Sequence, residues 1–367
     1  HLASFGAAEA LDGLMSRGGA SRWRSLSVES DNLVAALERA VARGDTGTAV
    51  ATLRATWAVL ALRGPWGVAL TLAMRVQQME GISGAARASV ARLAAKIHRN
   101  AGRLDDALGP LEEAIALSRG FGDRVGEGVA LADLGAVYVE LGRNDDAHLA
   151  LAAAGPLLRE LGELGAAAMV ERNLSNLYDL QGSAREAMVH GEAALVQFRK
   201  LGDRRAECKL IGTLAILSTK QGDFALALTR YQDAMAIARE VGDRQQEGVT
   251  LGNLAILYVE LSRLDEARSH YDAALALARK VGNRRGEALV LSNLGNLHNR
   301  LGRLAEAMSH QSLALELARE LGERRYEGSF RGNLANLYAQ LGQWEEARAQ
   351  LEAAVAITRE TGSRFLE

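Results

Sequence analysis

Apolar side chains in residues 245–284 follow a helical period twice in succession. The first stripe consists of Leu251, Leu254, Leu257, Tyr258 and Leu261. The second consists of Ala267, Tyr271, Ala274, Leu275, Leu277 and Ala278. Spacings of three and four residues are typical of one face of an amphipathic helix, and Ser262 and Gly282 stand where each stripe ends. The segment therefore predicts a hairpin of two helices, each of roughly 16 residues and about 24 Å.

The same pattern recurs every 40 residues from residue 85 onward, without insertion or deletion. One position is always alanine: Ala107, Ala147, Ala187, Ala227, Ala267, Ala307 and Ala347. Another is glycine, with Ser262 as the exception: Gly102, Gly142, Gly182, Gly222, Gly302 and Gly342. A fixed period of this length is typical of stacked units that cannot bury their apolar faces alone. We predict seven repeats: 85–124, 125–164, 165–204, 205–244, 245–284, 285–324 and 325–364.

The repeat resembles the tetratricopeptide repeat, in its 40-residue form. The residues that carry the resemblance are Leu134, Gly135, Tyr138, Gly142 and Ala147. They recur as Leu294, Gly295, Gly302 and Ala307, with His298 in place of the tyrosine. The resemblance implies an all-α fold, a right-handed superhelical solenoid of helix hairpins. It also implies a role in recognising proteins or peptides.

Residues 1–84 lie outside this period, and we expect a short helical adaptor there. Helices are predicted over 28–43, 46–62 and 66–79, with breaks at Gly44-Asp45 and Gly64-Pro65. The stretch 29–45 resembles the segment that joins the ATPase core to the repeats in bacterial STAND and NB-ARC regulators. No phosphate-binding G-x-x-x-x-G-K-[ST] motif is present. We therefore expect this chain to be the sensor region of a larger regulator. We also expect residues 365–367 to be the start of a further, truncated repeat.

Asparagines occur at two positions of the first helix, although asparagine is mildly unfavourable inside helices. The first set is Asn173, Asn253, Asn293 and Asn333, and the second is Asn176, Asn296 and Asn336. The two positions lie about 60° apart and away from the leucine stripe, on the wall of first helices that we expect to be concave. Thr213 and Ile216 interrupt both sets.

Two interpretations of these asparagines stay open. An amide offers a donor and an acceptor, which an extended peptide backbone also presents. In tetratricopeptide-like proteins such as kinesin light chains, asparagines at matching positions are used in this way, and Arg172, Lys209 and Arg300 lie on or beside the same face. Alternatively, the asparagines tie adjacent first helices together.

A second ladder pairs an arginine with a glutamate three residues later, at the start of each first helix. The pairs are Arg124/Glu127, Arg204/Glu207, Arg244/Glu247, Arg284/Glu287 and Arg324/Glu327. We predict ion pairs on the helix surface, each worth a few tenths of a kcal/mol.

The remaining composition restricts the classes of function. A net charge of −2 argues against nucleic acid or anionic membranes as partners. Cys208 is the single cysteine, and this indicates a reducing, cytoplasmic location. Cys208 occupies a packing position that holds a small residue in the other repeats. His190, His270 and His310 share one position but are too far apart to share a metal. We predict no metal site, no cofactor and no enzymatic activity.

We conclude from the sequence that the chain recognises a protein or peptide on the asparagine wall, as the sensor of a STAND-type regulator. The alternative is a scaffold without a discrete ligand, which holds domains of its parent protein inactive or self-associates through apolar array ends.

Overall fold

The computed structural model describes residues 28–63 and 66–361, all of them in helices or the turns between them. The first three helices are α1 (Ser30–Ala42), α2 (Thr46–Arg63) and α3 (Trp66–Gln77). Then follow α4 (Gly84–Asn100), α5 (Leu108–Gly120), α6 (Arg124–Leu141), α7 (Asn144–Glu160), α8 (Leu164–Leu180), α9 (Ala184–Leu201) and α10 (Arg204–Lys220). The remainder are α11 (Phe224–Glu240), α12 (Arg244–Glu260), α13 (Leu264–Val281), α14 (Arg284–Arg300), α15 (Leu304–Glu320), α16 (Arg324–Gln340) and α17 (Trp344–Thr361). The all-α repeat array predicted from the sequence is confirmed.

Polar side chains and glycines define where these helices begin and end. The side chains of Asp123, Asp203, Asp243 and Asn283 each accept a hydrogen bond from a backbone N–H in the first helical turn, which caps the helix. Glycine follows the first helix of most repeats in the left-handed conformation, as at Gly142 with φ 73°. Ser262 adopts the same conformation, with φ 58°, and is the one non-glycine residue of the described chain with positive φ.

The described chain divides into two compact units. The N-terminal unit comprises the residues up to Asp223 together with Ala236–Gly242, and the C-terminal unit comprises Phe224–Met235 together with the residues from Asp243 onward. Within each unit consecutive helices pack side by side, and the first helices of neighbouring repeats also touch.

Small residues allow this close packing. Ala107, Ala147, Ala267 and Ala307 are completely buried. A Cβ atom added to Gly135 would come within 2.6 Å of Leu151, so a side chain larger than glycine would push the two helices of that hairpin apart. The glycines and alanines of the period are thus packing residues.

The predicted helices of the adaptor match α1, α2 and α3 to within two residues at each end. Residues 1–27 of that adaptor, the Gly64-Pro65 break and the predicted start of a further repeat at residues 365–367 lie outside the described residues. None of the described helices combines the length and apolar character needed to cross a membrane.

Candidate functional site

The first asparagine set lies on the first helices, and two of its members tie those helices together. Asn173 is buried, and its Nδ2 donates to the carbonyl of Ala132 at 3.4 Å. Asn333 is half-buried, and its Nδ2 donates to Oγ of Ser292 at 3.2 Å. Both acceptors belong to the first helix of the preceding repeat. At these two residues the geometry favours the helix-tying interpretation that the sequence left open.

Asn253 and Asn293 behave differently. Both are half-buried, and neither side-chain amide bonds to any other described residue. The amides at these two positions therefore retain their hydrogen-bonding groups for another molecule.

The second asparagine set is more exposed. Asn176 is half-buried, while Asn296 and Asn336 are exposed. Gln311 donates from Nε2 to Oδ1 of Asn296 at 2.8 Å, and Gln340 donates to Oδ1 of Asn336 at 3.2 Å. No described residue accepts a hydrogen bond from Nδ2 of Asn296 or Asn336, so both present donors outward.

The three predicted cations differ in their surroundings. Lys209 and Arg300 are exposed. Arg172 is half-buried; one terminal nitrogen donates to Oδ1 of Asn173 at 3.2 Å, and its Nε has no partner among the described residues. Burial lowers the pKa of Arg172, and the positive charge of Arg99 lowers it further. With both amide groups of Asn173 engaged, Asn173 has little left to offer a ligand.

Ion pairs join neighbouring first helices in the N-terminal unit. Asp133 lies at the position of Asn173 one repeat earlier, and its Oδ2 is 3.2 Å from Nε of Arg92 and 3.4 Å from Nζ of Lys96. Burial opposes ionisation of Asp133, but Lys96 and Arg92 outweigh it and hold its pKa below the ordinary value. Arg99 and Glu140 form a second pair, and Lys220 and Asp179 a third.

The arginine–glutamate ladder is not the surface feature that the sequence predicted. Glu207, Glu247, Glu287 and Glu327 are buried. Glu287 accepts from Arg284 at 3.1 Å and from Arg279, in the preceding helix α13, at 2.8 Å. Arg284 also reaches Glu320 at the end of α15. The predicted pairs form in these four repeats, but their assignment to the helix surface was wrong. The additional partners come from other helices, which local spacing does not reveal.

Arg124 and Glu127 depart further from the predicted pairing. Glu127 accepts from Arg119 at 2.6 Å, while Arg124 reaches Glu160 at 3.2 Å. As in other repeats, the glutamate contacts an arginine of the preceding helix and the arginine contacts a glutamate at the end of the following second helix. The structure shows no ion pair between Arg124 and Glu127 themselves. The ladder therefore acts between helices, and loss of a buried carboxylate would leave guanidinium groups unpaired.

The histidines of the second helices stack on residues of the preceding helix. His190 lies 2.7 Å from Glu171 and stacks on Tyr178 with ring centroids 5.1 Å apart. His310 stacks in the same way on His298, which is buried. Cys208 is buried too, as its small-residue position predicts.

The C-terminal unit also contains a polar cluster that the sequence did not predict. Gln311 is fully buried and bonds to both Ser292 and Asn296. The only signal in the sequence is a glutamine at an apolar position of the second helix, equivalent to Leu151, Tyr271 and Leu351.

Comparison with known proteins identifies the repeats. The tetratricopeptide repeat family model matches residues 205–280 and 286–360. These segments are tetratricopeptide repeats. No curated protein matches the sequence.

Several solved structures share the fold of the tetratricopeptide array. A Rap protein complexed with Competence and Sporulation Factor is 14% identical, with a TM-score of 0.69 over 93% of this chain and 99% of its own. The quorum sensor NprR from B. thuringiensis, in its apo form, is 13% identical, with a TM-score of 0.62 over 90% of this chain and 99% of its own. A STAND protein with a tetratricopeptide repeat sensor from Pyrococcus horikoshii is 15% identical, with a TM-score of 0.59 over 89% of this chain and 53% of its own. The tetratricopeptide repeats support a role in protein or peptide interaction.

Proposed function

We propose that this protein recognises an extended peptide segment on the first helices of its C-terminal repeats. One observation carries the proposal: amide groups remain open to a ligand at Asn253, Asn293, Asn296 and Asn336, which span three consecutive repeats. Each of these side chains lies in a first helix, on the face that the sequence assigns to the peptide.

The spacing of these amides suits an extended backbone. Packed helices lie about 8–10 Å apart, and an extended peptide advances about 3.3 Å per residue. One repeat therefore corresponds to about three ligand residues. An extended segment could present its own N–H and C=O groups to amides on successive repeats.

Hydrogen bonds alone would not give strong binding. Each nets about 0.5–1.5 kcal/mol, whereas micromolar affinity requires about 8 kcal/mol. Apolar side chains of the ligand must supply much of the remainder. Ile256 lies at the position of Asn296 one repeat earlier and is 40% exposed, so it offers an apolar contact on the same face.

The larger context that we propose is a sensor in a STAND-type regulator located in the cytoplasm. The resemblance of residues 29–45 supports it, as does the fold shared with the Pyrococcus horikoshii STAND protein. A Rap protein bound to Competence and Sporulation Factor and the quorum sensor NprR have the same fold. In this proposal the ligand would act on a catalytic domain elsewhere in the regulator.

The test is capture of peptides from a displayed random-sequence nonapeptide library. The double variant Asn253→Ala with Asn293→Ala should lose at least about tenfold in affinity for peptides enriched on the wild type, because two hydrogen bonds are removed. Its helical content, measured by circular dichroism, should not change.

Asn173→Ala is the matched control. It removes an asparagine from the same position of the repeat, but one whose amide is already engaged by Ala132 and Arg172. Peptide affinity should stay within about twofold. Equal capture by the double variant and the wild type would contradict the proposal.

A second candidate is self-association through the end of the array. Trp344 is 68% exposed and Leu351 50% exposed, whereas in the preceding repeat the equivalent Leu304 is half-buried and Gln311 is buried. Analytical ultracentrifugation distinguishes the two functions. Association that increases with concentration and is abolished by Trp344→Glu, but not by loss of the asparagines, would favour the scaffold.

A further inference from the structure

A buried glutamine in the C-terminal unit stands at a position that is apolar in the equivalent repeats. Gln311 is fully buried in α15. It fits because Gly295 faces it: a Cβ on Gly295 would lie 2.9 Å from Cγ of Gln311. The same arrangement occurs in the repeat 125–164, where Gly135 faces Leu151. Packing is therefore satisfied by leucine, and the amide of Gln311 needs another explanation.

The side-chain hydrogen bonds around Gln311 form a chain in which each residue donates to the next, from Asn333 through Ser292 and Gln311 to Asn296. Its Nε2 donates to the carbonyl of Ser292 at 2.9 Å and to Oδ1 of Asn296 at 2.8 Å. Its Oε1 accepts from Oγ of Ser292 at 3.0 Å. That hydroxyl in turn accepts from Nδ2 of Asn333 at 3.2 Å. Every donor and acceptor of the buried amide is thus paired with a defined partner.

This direction fixes how two asparagines face outward. Because Oδ1 of Asn296 is held by Gln311, Asn296 presents its NH₂ group. Because Nδ2 of Asn333 is held by Ser292, Asn333 presents its carbonyl oxygen. Among the described residues none donates to that oxygen or accepts from that NH₂ group. Asn296 and Asn333 lie on the neighbouring first helices α14 and α16. Asn296 is hydrogen-bonded to Gln311, and Asn333 is hydrogen-bonded to Ser292.

We propose that Gln311 is a positioning residue that holds Asn296 and Asn333 in opposite orientations, as a donor and an acceptor for the main chain of the ligand. The inference rests on the proposed function and narrows its ligand to an extended peptide with free backbone N–H and C=O groups at this point. Asn296 donates to a ligand carbonyl, and Asn333 accepts from a ligand N–H.

In the N-terminal unit Asn173 occupies the same repeat position as Asn333, but no pair like Ser292 and Gln311 stands beside it. Ala132 replaces Ser292 there, and Asn173 donates to the backbone of Ala132 instead. Its oxygen accepts from Arg172, so neither group is directed to a ligand. The outward carbonyl of Asn333 therefore depends on the side chains around it and does not follow from its place in the repeat.

Two isosteric substitutions test the orientation. Asn296→Asp removes the outward donor and should weaken binding of library-selected nonapeptides about tenfold or more, because a carboxylate would face a ligand carbonyl. Asn333→Asp keeps an outward acceptor but loses the hydrogen bond from Nδ2 to Ser292, so its affinity should fall by less than that of Asn296→Asp. Isothermal titration calorimetry with one synthetic nonapeptide measures both. Equal losses in the two variants would overturn the proposal while leaving peptide recognition intact.

Gln311→Leu tests the positioning role in the free protein and in peptide binding. The repeat 125–164 already packs leucine against glycine at this place, so we expect the variant to fold with the wild-type circular dichroism spectrum. The side-chain ¹⁵N–¹H NOE of Asn296 should fall, because its oxygen is no longer held, and nonapeptide affinity should fall by about threefold or more. An unchanged NOE would overturn the positioning role directly. A library that yields no peptide on the wild type would instead refute the proposed function.

Discussion

The first helices of the two units carry different polar groups at equivalent positions. In the N-terminal unit Asp133 is paired with Arg92 and Lys96, and Arg99 with Glu140. In the C-terminal unit the position of Asp133 holds an amide in each repeat, Asn253, Asn293 and Asn333, and several hydrogen-bonding groups of these amides have no described partner. One face is satisfied by its own ion pairs, and the other remains open to a ligand.

This difference separates two uses of one architecture. Ion pairs between adjacent helices stabilise the stack, but they occupy the groups that could meet a ligand. Amides carry no net charge, so they can remain partly unpaired on the surface without the desolvation cost of a charge. We infer that the N-terminal face mainly supports the array and that the C-terminal face mainly binds.

Reciprocal substitutions at the repeat position that Asp133 and Asn333 share should show the largest contrast in stability between the two units. Asp133→Asn leaves Arg92 and Lys96 without a carboxylate, so we expect a loss of about 2 kcal/mol in the free energy of unfolding. Asn333→Asp, facing only the Ser292 hydroxyl, should cost about 1 kcal/mol or less. Urea denaturation followed by circular dichroism measures both. Similar losses in the two variants would remove the distinction between the faces.

The turns after the first helices offer a second reciprocal pair. Gly142 and Ser262 share the left-handed conformation, in the N-terminal and C-terminal units respectively. Ser262→Gly should raise the free energy of unfolding by about 0.5–1 kcal/mol, and Gly142→Ser should lower it by about 1 kcal/mol. Opposite shifts in the thermal midpoint are expected. A destabilised Ser262→Gly variant would show that the serine side chain contributes a contact worth more than the strain.

The smallest contrast concerns two histidines at the aromatic position, His98 in the N-terminal unit and His298 in the C-terminal unit. Burial lowers the pKa of both; Asp106 opposes this at His98, and the neighbouring imidazole of His310 reinforces it at His298. A folded pKa below the ordinary value of 6.5 means that the unfolded state takes up the proton first. Their contribution to stability is complete above pH 6.5 and is lost as the pH falls below it.

Substitution by tyrosine, the residue at this position in other repeats, removes the titration. Between pH 7 and pH 5 the wild type should lose about 1 kcal/mol or less in the free energy of unfolding through His298, and His298→Tyr should abolish this loss. His98→Tyr should have a smaller effect on the pH dependence of the free energy of unfolding. Thermal melts at the two pH values provide the measurement. An equal effect of both variants would show that Asp106 does not offset burial at His98.

The sequence predicted the helices well because their signals are local. Apolar spacing, the glycine after each first helix and the alanine in each second helix lie within one hairpin, so the 40-residue period reveals them directly. The adaptor helices were found for the same reason. The asparagine positions also followed from the period, since helical geometry assigns a residue to a face.

The chemical state of those positions was decided only by tertiary structure. Glu287 is buried because Arg279 and Arg284 meet it from two helices, and Asn173 is engaged because Ala132 lies across from it in the preceding repeat. Gln311 stands 19 residues from Ser292 and 15 from Asn296, in the other helix of the hairpin. The sequence by itself determined the repeats and which residues share a face. Which groups on that face are satisfied depends on partners from neighbouring helices, because a hydrogen bond requires two atoms within about 3 Å, a distance that only packing establishes.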